Sequence, residues 1–173
     1  MGLPQREALM RFVDKEGVPF DVRTGCDDDV PGLCAMYDGF SPKGKFQGVP
    51  PVEQKACREW IGNLVDRGRS FLALRGDRII GHLVIIPDLD RREGEYLIFV
   101  DQKERNRGVG TRLTEAALEH ARGLGLRGLW LTVGTYNFPA IALYRKFGFR
   151  FFGLDRFERE RTMRLAVPGE PCL

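Results

Sequence analysis

The sequence predicts an α/β protein with a mixed, mostly antiparallel sheet, and two observations support that fold class. Three apolar runs, at residues 70–74, 79–86 and 94–100, follow one another with only short turns between them. Consecutive strands joined by short turns form an antiparallel meander. A helical pattern at 109–124 then separates the third run from another apolar run at 128–133. Because a whole helix connects these two strands, they should lie parallel to each other.

The N-terminal residues predict a helix that flanks the domain. Leu9, Phe12 and Val13 are spaced among charged side chains, and a glycine follows at position 17. Apolar residues three and four positions apart lie on one face of a helix. We therefore expect a short amphipathic helix within residues 1–17.

The segment between this helix and the meander predicts one strand and two helices. Residues 20–24 favour a strand, and aspartates that can cap a helix precede an apolar pattern at 28–38. Residues 39–51 contain three glycines and three prolines, which predict an irregular loop. A second helix is expected at 52–67, because a proline precedes it and a glycine follows it.

The C-terminal part predicts one more helix and a closing hairpin. Asn137 can cap a helix near 138–147, and the glycine after that range can end it. The runs at 149–154 and 161–167 can then complete the sheet as a hairpin. The whole chain therefore predicts about six to seven strands and about four to five helices.

Length and composition predict one domain. The chain has 173 residues, 43% of them apolar, which suffices for one domain spanning residues 1–173 and is short for two. The net charge is +3 and the 27 basic residues are spread along the chain, so the sequence does not predict a nucleic-acid partner. No apolar run approaches the roughly 18 residues of a membrane-spanning helix, so we expect no membrane partner.

The cysteines predict a reducing compartment. Cys26, Cys34, Cys57 and Cys172 show no CxxC spacing, and no signal-peptide pattern precedes them. Disulfides are rare in the cytosol, where thiols stay reduced. We therefore expect a cytoplasmic chain with free thiols.

Residues 100–114, VDQKERNRGVGTRLT, combine the end of a strand, a basic turn and the start of a helix. Gly108 and Gly110 allow the backbone to approach a ligand closely, and the first amides of a helix have no partner within it. These amides and the positive end of the helix dipole favour an anion such as phosphate. Lys103 and the nearby arginines add positive charge. The turn therefore predicts an anion-binding site.

Two common phosphate motifs do not fit this turn. A P-loop requires GxxxxGK followed by Ser or Thr, and the lysine is missing here. A dinucleotide fingerprint requires a third glycine where Leu113 stands. The remaining pattern, Arg105-x-x-Gly108-x-Gly110, resembles the acyl-CoA pyrophosphate loop of the GNAT acyltransferase superfamily.

A second segment carries the same resemblance. Residues 137–149, NFPAIALYRKFGF, resemble the Asn-x-x-Ala-x-x-Leu-Tyr-x-Lys-x-Gly-Phe segment that follows the loop in this family at a similar distance. The two matches occur in the right order, and together they are more specific than one short glycine pattern. The resemblance covers residues 71–167. It implies a GNAT-like acyl-CoA N-acyltransferase fold with a splayed parallel central pair of strands, in which residues 94–149 form the acyl-CoA-binding core.

The resemblance also implies which residues bind acetyl-CoA. Strand amides near Phe99 and Val100 would hold the pantetheine arm, and Arg105 would fix the loop. Asn137 is either a helix cap only or a cap that also contacts the donor, and Lys146 or the arginine before it would lie near the adenosine phosphate. Main-chain N–H groups of the loop would bind the pyrophosphate, namely those of Arg107, Gly108, Val109, Gly110 and Thr111.

The implied chemistry rests on two residues. Tyr144 occupies the position of the family's general acid, which would protonate the departing thiolate of coenzyme A. Glu95 either receives the proton of the amine, directly or through water, or is a surface strand residue. His82 and His120 are expected to be structural, and no residue cluster has the spacing of metal ligands, so we expect no metal.

The function implied by the resemblance is acetyl transfer from acetyl-CoA to a primary amine. The amine would attack the thioester directly within a ternary complex, and the acceptor would be a small molecule or a protein lysine or N-terminus. We expect a monomer or a homodimer. A non-catalytic acyl-CoA sensor is the main alternative, and a module that has kept only the fold is another. Turnover separates the enzyme from the sensor, and stabilisation by coenzyme A separates both from the module.

Overall fold

The computed structural model describes residues 9–41, 43, 49–153 and 158–169, and the strands in these ranges form one eight-stranded sheet. Short 3-10 turns at Asp27–Asp29 and Gln102–Glu104 accompany the regular elements. The strands and helices follow in chain order: β1 (Met10–Val13), β2 (Pro19–Thr24), α1 (Val30–Asp38), α2 (Gln54–Arg67), β3 (Arg69–Arg75), β4 (Arg78–Asp88), β5 (Glu93–Val100), α3 (Val109–Gly123), β6 (Gly128–Gly134), α4 (Phe138–Lys146), β7 (Arg150–Phe151) and β8 (Glu160–Ala166).

The sheet order is β1-β2-β3-β4-β5-β6-β8-β7, which confirms the predicted mixed, mostly antiparallel sheet. β1 to β5 pair consecutively and antiparallel. In the two-residue turn between β3 and β4, Gly76 has a φ of 62°, a conformation that favours glycine. β8 lies between β6 and β7 and pairs antiparallel with both, so the predicted final hairpin is present.

β5 and β6 form the predicted parallel pair, and they separate after three residues. Glu93, Gly94 and Glu95 pair with β6 at residues 128–130. Beyond Glu95, β5 stays paired with β4 as far as Val100, while β6 stays paired with β8 to its end. Each strand therefore keeps one partner, and a gap opens between the two. We call this opening the strand gap.

The helices cover the two faces of the sheet with separate apolar cores. Alternate residues of a strand point to opposite faces. On β5, Tyr96, Ile98 and Val100 join the core beneath α3 and α4, whereas Leu97 and Phe99 join the core beneath α1 and α2. The strand gap therefore lies between the two helical layers.

The prediction of an N-terminal helix is wrong for the part of the segment that the structure describes. Met10–Val13 is an edge strand paired with β2, and residues 1–8 lie outside the described residues. Only one of the three apolar residues behind the prediction is covered: Phe12 contacts the Phe20 ring at 5.8 Å between centroids, while Leu9 and Val13 are exposed. A helix would have buried all three side chains on one face, whereas in the edge strand only Phe12 packs against the rest of the protein.

This extra strand brings the sheet to eight, one more than the upper end of the prediction. The four α-helices of the described residues agree with the predicted number, and their bounds lie within a few residues of the predicted ones. Within the predicted loop 39–51, residues 42 and 44–48 lie outside the described residues.

Candidate functional site

The strand gap forms a narrow cleft, with a cavity volume of about 30 Å³. From Tyr96 to Val100, β5 has a strand partner on one side only, so its backbone groups on the other side face the gap. An extended ligand could pair with this free side. Seven residues line the cleft: Glu95, Tyr96, Leu97, Ile98, Phe99, Thr132 and Tyr144.

The predicted anion-binding turn lies directly after β5 and leads into α3. We call residues 105–111 the anion loop. Gly108 caps α3 with a φ of 95°, which lets the chain enter the helix from a left-handed conformation. Within the described residues, the N–H groups of Gly108, Val109, Gly110 and Thr111 donate no backbone hydrogen bond outside the helix. These amides and the helix dipole make the start of α3 positive, so it could hold a phosphate.

The two glycines of the anion loop have different environments. A Cβ at Gly108 would meet nothing within 4 Å, so the surface above this residue is open. A Cβ at Gly110 would lie 3.1 Å from Leu143 of α4, so this glycine permits the close packing of α3 against α4. Gly108 is therefore the position where a ligand can approach the backbone.

Lys146 is the basic residue of α4 that reaches the anion loop. Its Nζ donates a hydrogen bond to Thr111 Oγ1 at 3.2 Å, which places the ammonium beside the start of α3. The neighbouring Arg145 instead has its guanidinium 5.7 Å from the centre of the Phe151 ring. Of the two alternatives for the phosphate contact, the geometry favours Lys146.

The guanidinium groups of Arg105 and Arg107 are held by the protein. Arg105 donates to the carbonyl oxygens of Val100 and Ser41, at 3.4 Å and 3.2 Å. Arg107 forms an ion pair with the buried Asp14 at 2.8 Å. Both side chains therefore fix the backbone of the loop in this structure.

The Tyr144 ring is buried, and its hydroxyl has no hydrogen-bond partner in the described part of the chain. The neighbouring Tyr96 ring meets it edge-on at 5.8 Å between centroids. Tyr96, by contrast, bonds Thr114 Oγ1 at 2.7 Å through its hydroxyl, and Thr114 donates to the Gly110 carbonyl at 2.7 Å. Burial raises the pKa of the Tyr144 phenol above its ordinary value, so the hydroxyl is protonated and available to donate.

Glu95 is half-buried at the point where β5 and β6 separate, and it lines the same cleft as Tyr144. Burial raises the pKa of its carboxyl, an effect that the positive charge of Arg67 partly opposes. A carboxylate with a raised pKa is a better proton acceptor at neutral pH than an exposed one. The structure thus brings together the two residues that the sequence analysis assigned to catalysis.

Asn137 caps α4, because its Oδ1 accepts a hydrogen bond from Ala140 N at 3.4 Å. Its contact with a donor stays a prediction. His82 is fully buried, with Nδ1 2.8 Å from Tyr37 Oη and Nε2 3.0 Å from Ser70 Oγ. Burial lowers the pKa of His82 to about 3, so the ring is neutral and structural, as expected.

An aromatic wall on the α1 and α2 side of the gap was not predicted from the sequence. The Tyr37 ring lies 5.3 Å from Phe99 and 5.4 Å from Trp60, and Phe40 contacts the same group. The sequence signal that Tyr37 and Phe40 lie on the same side is their spacing of three residues. Of this group, Phe99 lines the cleft that also contains Glu95.

The comparisons with known proteins agree with this geometry. Residues 33–149 match the family described as the acetyltransferase (GNAT) family. The chain belongs to this family. Its fold, with a mostly antiparallel sheet and one parallel pair, is the GNAT fold, and the resemblance stated for the sequence is confirmed.

Curated relatives of this GNAT protein are named as acetyltransferases. Mycothiol acetyltransferase of Streptomyces bingchenggensis is 36% identical over 165 residues, which cover 94% of this chain and 52% of the relative. The L-methionine sulfoximine/L-methionine sulfone acetyltransferase of Pseudomonas aeruginosa is 26% identical over 133 residues, which cover 72% of this chain and 77% of the relative. The chain spans about half the length of the mycothiol acetyltransferases that it matches.

Solved structures share the fold over most of the chain. The GNAT domain of S. lividans PAT has a TM-score of 0.75 at 18% identity, covering 92% of this chain and 97% of that domain. A Salmonella typhimurium protein solved with its cofactor acetyl-CoA has a TM-score of 0.68 at 14% identity, covering 88% of this chain and 96% of that one.

The side chains and helices of the described ranges bear on metal binding and on membrane spanning. No group of three or more His, Cys, Asp or Glu residues there could hold a metal ion. No helix in these ranges is long and apolar enough to cross a membrane. Cys26, Cys34 and Cys57 are free thiols, and Cys172 lies outside the described residues.

Proposed function

We propose that this GNAT protein transfers an acetyl group from acetyl-CoA to a primary amine, which attacks the thioester directly within a ternary complex. The observation that carries the proposal is one continuous path. It runs from the free amides of the anion loop along the unpaired side of β5 to a cleft lined by Tyr144 and Glu95. An anion site followed by the unpaired strand edge and the cleft matches the order of pyrophosphate, pantetheine arm and thioester along an acyl-CoA.

The donor site follows from the loop and the strand. Main-chain N–H groups of residues 107–111 would bind the pyrophosphate, because they are free and the surface above Gly108 is open. Lys146 would add a positive charge on the α4 side. Backbone groups near Phe99 and Val100 would hold the pantetheine arm in the strand gap and polarise the thioester carbonyl. Val100 O also holds Arg105, so the arm would pair with the remaining groups.

Proton removal from the amine is assigned to Glu95. A primary amine has a pKa of about 10.4 and an exposed glutamate one of about 4.3, so an ordinary carboxylate is a poor base for it. Burial reduces this mismatch by raising the Glu95 pKa, and its position in the cleft puts it within reach of an incoming amine or of a water between them.

Stabilisation of the leaving group is assigned to Tyr144. A thiol has a pKa of about 8.5 and a phenol about 10, and burial raises the phenol value further, so complete proton transfer to sulfur is uphill. The unpartnered hydroxyl would instead donate a hydrogen bond to the sulfur as negative charge develops in the transition state. This bond adds rate because it is stronger in the transition state than in the ground state.

For the acceptor, the relatives favour a small molecule over a protein. Two of the relatives, which match 94% and 72% of this chain, are named for mycothiol and for L-methionine sulfoximine, both small molecules. Phe40 and Trp60 pack against Phe99 of the cleft and are only partly buried, so they offer flat apolar surface on the α1 and α2 side of the gap.

Two measurements test the function. Coenzyme A at about a hundred times its dissociation constant should stabilise the protein by about 2.7 kcal/mol, which a thermal-shift titration detects. Acetyl-CoA supplied with a panel of small primary amines should release free thiol. If coenzyme A binds but none of the amines is acetylated, the result would support the alternative of a non-catalytic acyl-CoA sensor. If coenzyme A does not bind, the donor site would be refuted.

A further inference from the structure

The anion loop is tied to a part of the chain that is 93 residues away in sequence. Asp14 lies in the turn between β1 and β2, and its side chain is fully buried. Its Oδ2 accepts hydrogen bonds from Arg107 Nε at 2.8 Å and from Arg75 at 2.9 Å. Its Oδ1 accepts from the N–H groups of Glu16 and Val18, both at 2.9 Å. One carboxylate therefore folds the turn with one oxygen and holds the loop with the other.

A backbone hydrogen bond joins the same two segments. Lys15 N donates to the carbonyl oxygen of Arg107 at 3.1 Å. Glu16 forms a further ion pair with the Arg107 guanidinium at 2.9 Å. Residue 107 is therefore held through its main chain and its side chain, immediately before the glycine that caps α3.

Charge balance makes this arrangement compatible with an anionic ligand nearby. Glu104, also buried, accepts hydrogen bonds from Arg75 and Arg78 at 2.6 Å each. Two buried carboxylates close to a phosphate site would repel the ligand if they were unpaired. Here the arginines neutralise them, and hydrogen bonds from Val18, Arg75, Glu16 and Arg107 outweigh the effect of burial and lower the pKa of Asp14 to about 2.

We propose that Asp14 is a positioning residue for the donor: by holding Arg107 and folding the turn that bonds its carbonyl, it sets the backbone of the anion loop for the pyrophosphate of acetyl-CoA. This inference rests on the proposed function. In this assignment the Arg107 guanidinium holds the loop in place, and the main-chain amides of the anion loop bind the pyrophosphate. The opposite assignment, in which Arg107 swings out to bind phosphate directly, makes Asp14 a competitor of the ligand.

The two assignments predict opposite effects of Asp14→Asn on coenzyme A affinity, measured by isothermal titration calorimetry. Positioning predicts about tenfold weaker binding, equal to about 1.4 kcal/mol. Steady-state kinetics should then show a raised KM for acetyl-CoA, with kcat at saturation changed less than about threefold. In a protein that already carries Arg107→Gln, adding Asp14→Asn should weaken coenzyme A binding by less than about a further twofold, because both changes break the same contact between Asp14 and Arg107.

The matched control is Asp29→Asn. Asp29 is also buried and paired with an arginine, because it accepts two hydrogen bonds from Arg23 at 2.7 and 2.8 Å, but it lies at the start of α1. This variant should lower the melting temperature while leaving the KM for acetyl-CoA within about twofold. Equal increases of KM in both variants would show a general effect of lost stability and overturn the inference.

Other outcomes are equally decisive. Unchanged or tighter binding by Asp14→Asn overturns the positioning role and leaves the proposed function standing. If the wild type binds no coenzyme A, the proposed function fails and this inference fails with it. If Asp14→Asn does not fold, Asp14→Ser replaces it, because a serine oxygen can still accept a hydrogen bond within the turn while the carboxylate that holds Arg107 is removed. Weaker binding by that variant supports positioning, and tighter or unchanged binding refutes it.

Discussion

The clearest test of the proposed chemistry compares two buried tyrosines that touch each other. Tyr144 has a hydroxyl without a partner in the described residues, while the Tyr96 hydroxyl is 2.7 Å from Thr114 Oγ1. Phenylalanine in place of either keeps the ring and removes one oxygen. The structure therefore predicts opposite results for the two substitutions.

Tyr144→Phe should reduce the rate and preserve stability. A hydrogen bond to a charged group contributes about 1.5–3 kcal/mol, and each 1.36 kcal/mol is tenfold in rate, so kcat should fall about ten- to a hundredfold. The free energy of unfolding should change by less than about 0.5 kcal/mol, because no hydrogen bond within the described protein is lost. The affinity for coenzyme A should be nearly unchanged.

Tyr96→Phe should show the reverse pattern. It removes a buried hydrogen bond and leaves Thr114 with its bond to the Gly110 carbonyl alone, which should cost about 1 kcal/mol of stability. Its kcat should change by less than about threefold. Urea unfolding measures the stabilities, and thiol release from acetyl-CoA measures the rates. A wild-type rate for Tyr144→Phe, with chemistry shown to be rate-limiting, would make Tyr144 a core aromatic only.

Two further predictions concern the donor loop and the base. Gly108→Val should weaken coenzyme A binding at least about tenfold, because the new side chain covers the free amides and strains the backbone at its φ of 95°. Arg105→Ala should be milder, within about threefold. Binding equal to the wild type by a folded Gly108→Val protein would place the ligand elsewhere. Glu95→Gln should lower kcat/KM most at low pH, and this loss should shrink at higher pH as the amine deprotonates by itself. A pH-independent loss of kcat/KM would indicate a positioning role. Because burial raises the Glu95 pKa, the folded state binds more protons than the unfolded state at pH values between the unfolded and the folded pKa. The free energy of unfolding of the wild type should therefore fall as pH rises through the folded pKa, and Glu95→Gln should be at least as stable as the wild type at neutral pH.

The sequence was sufficient for the parts of the molecule whose signals are local. The meander, the anion loop and the segment 137–149 each depend on residues close together in the chain, and the structure places them where they were predicted. The four-residue strand Met10–Val13 is too short for its periodicity to distinguish a strand from a helix, and its identity depends on pairing with β2. Sequence also left Lys146 and Arg145 equivalent, and only the packing of α4 separated them.

The contact between Asp14 and Arg107 could not have been predicted from the sequence, because it too depends on elements that are distant in the chain. The pattern Arg105-x-x-Gly108-x-Gly110 directs attention to the charges of the loop as phosphate ligands. Which arginine is available depends on carboxylates that the fold brings from other elements, and these belong to residues 14 and 104. A local motif therefore predicts the kind of ligand but not the groups that hold the loop in place.

The separation of β5 and β6 explains how residues on opposite faces of one sheet can serve one reaction. Glu95 shares a face with Leu97 and Phe99, which pack under α1 and α2, whereas Tyr144 belongs to the core under α3 and α4. In a closed sheet, the backbone between them would keep these two side chains apart. Because the strands diverge directly after Glu95, both residues line one cleft. In the proposed reaction, an acyl donor held on the α3 side would therefore meet an amine arriving from the α1 side, and Glu95 would face the amine while Tyr144 would face the sulfur.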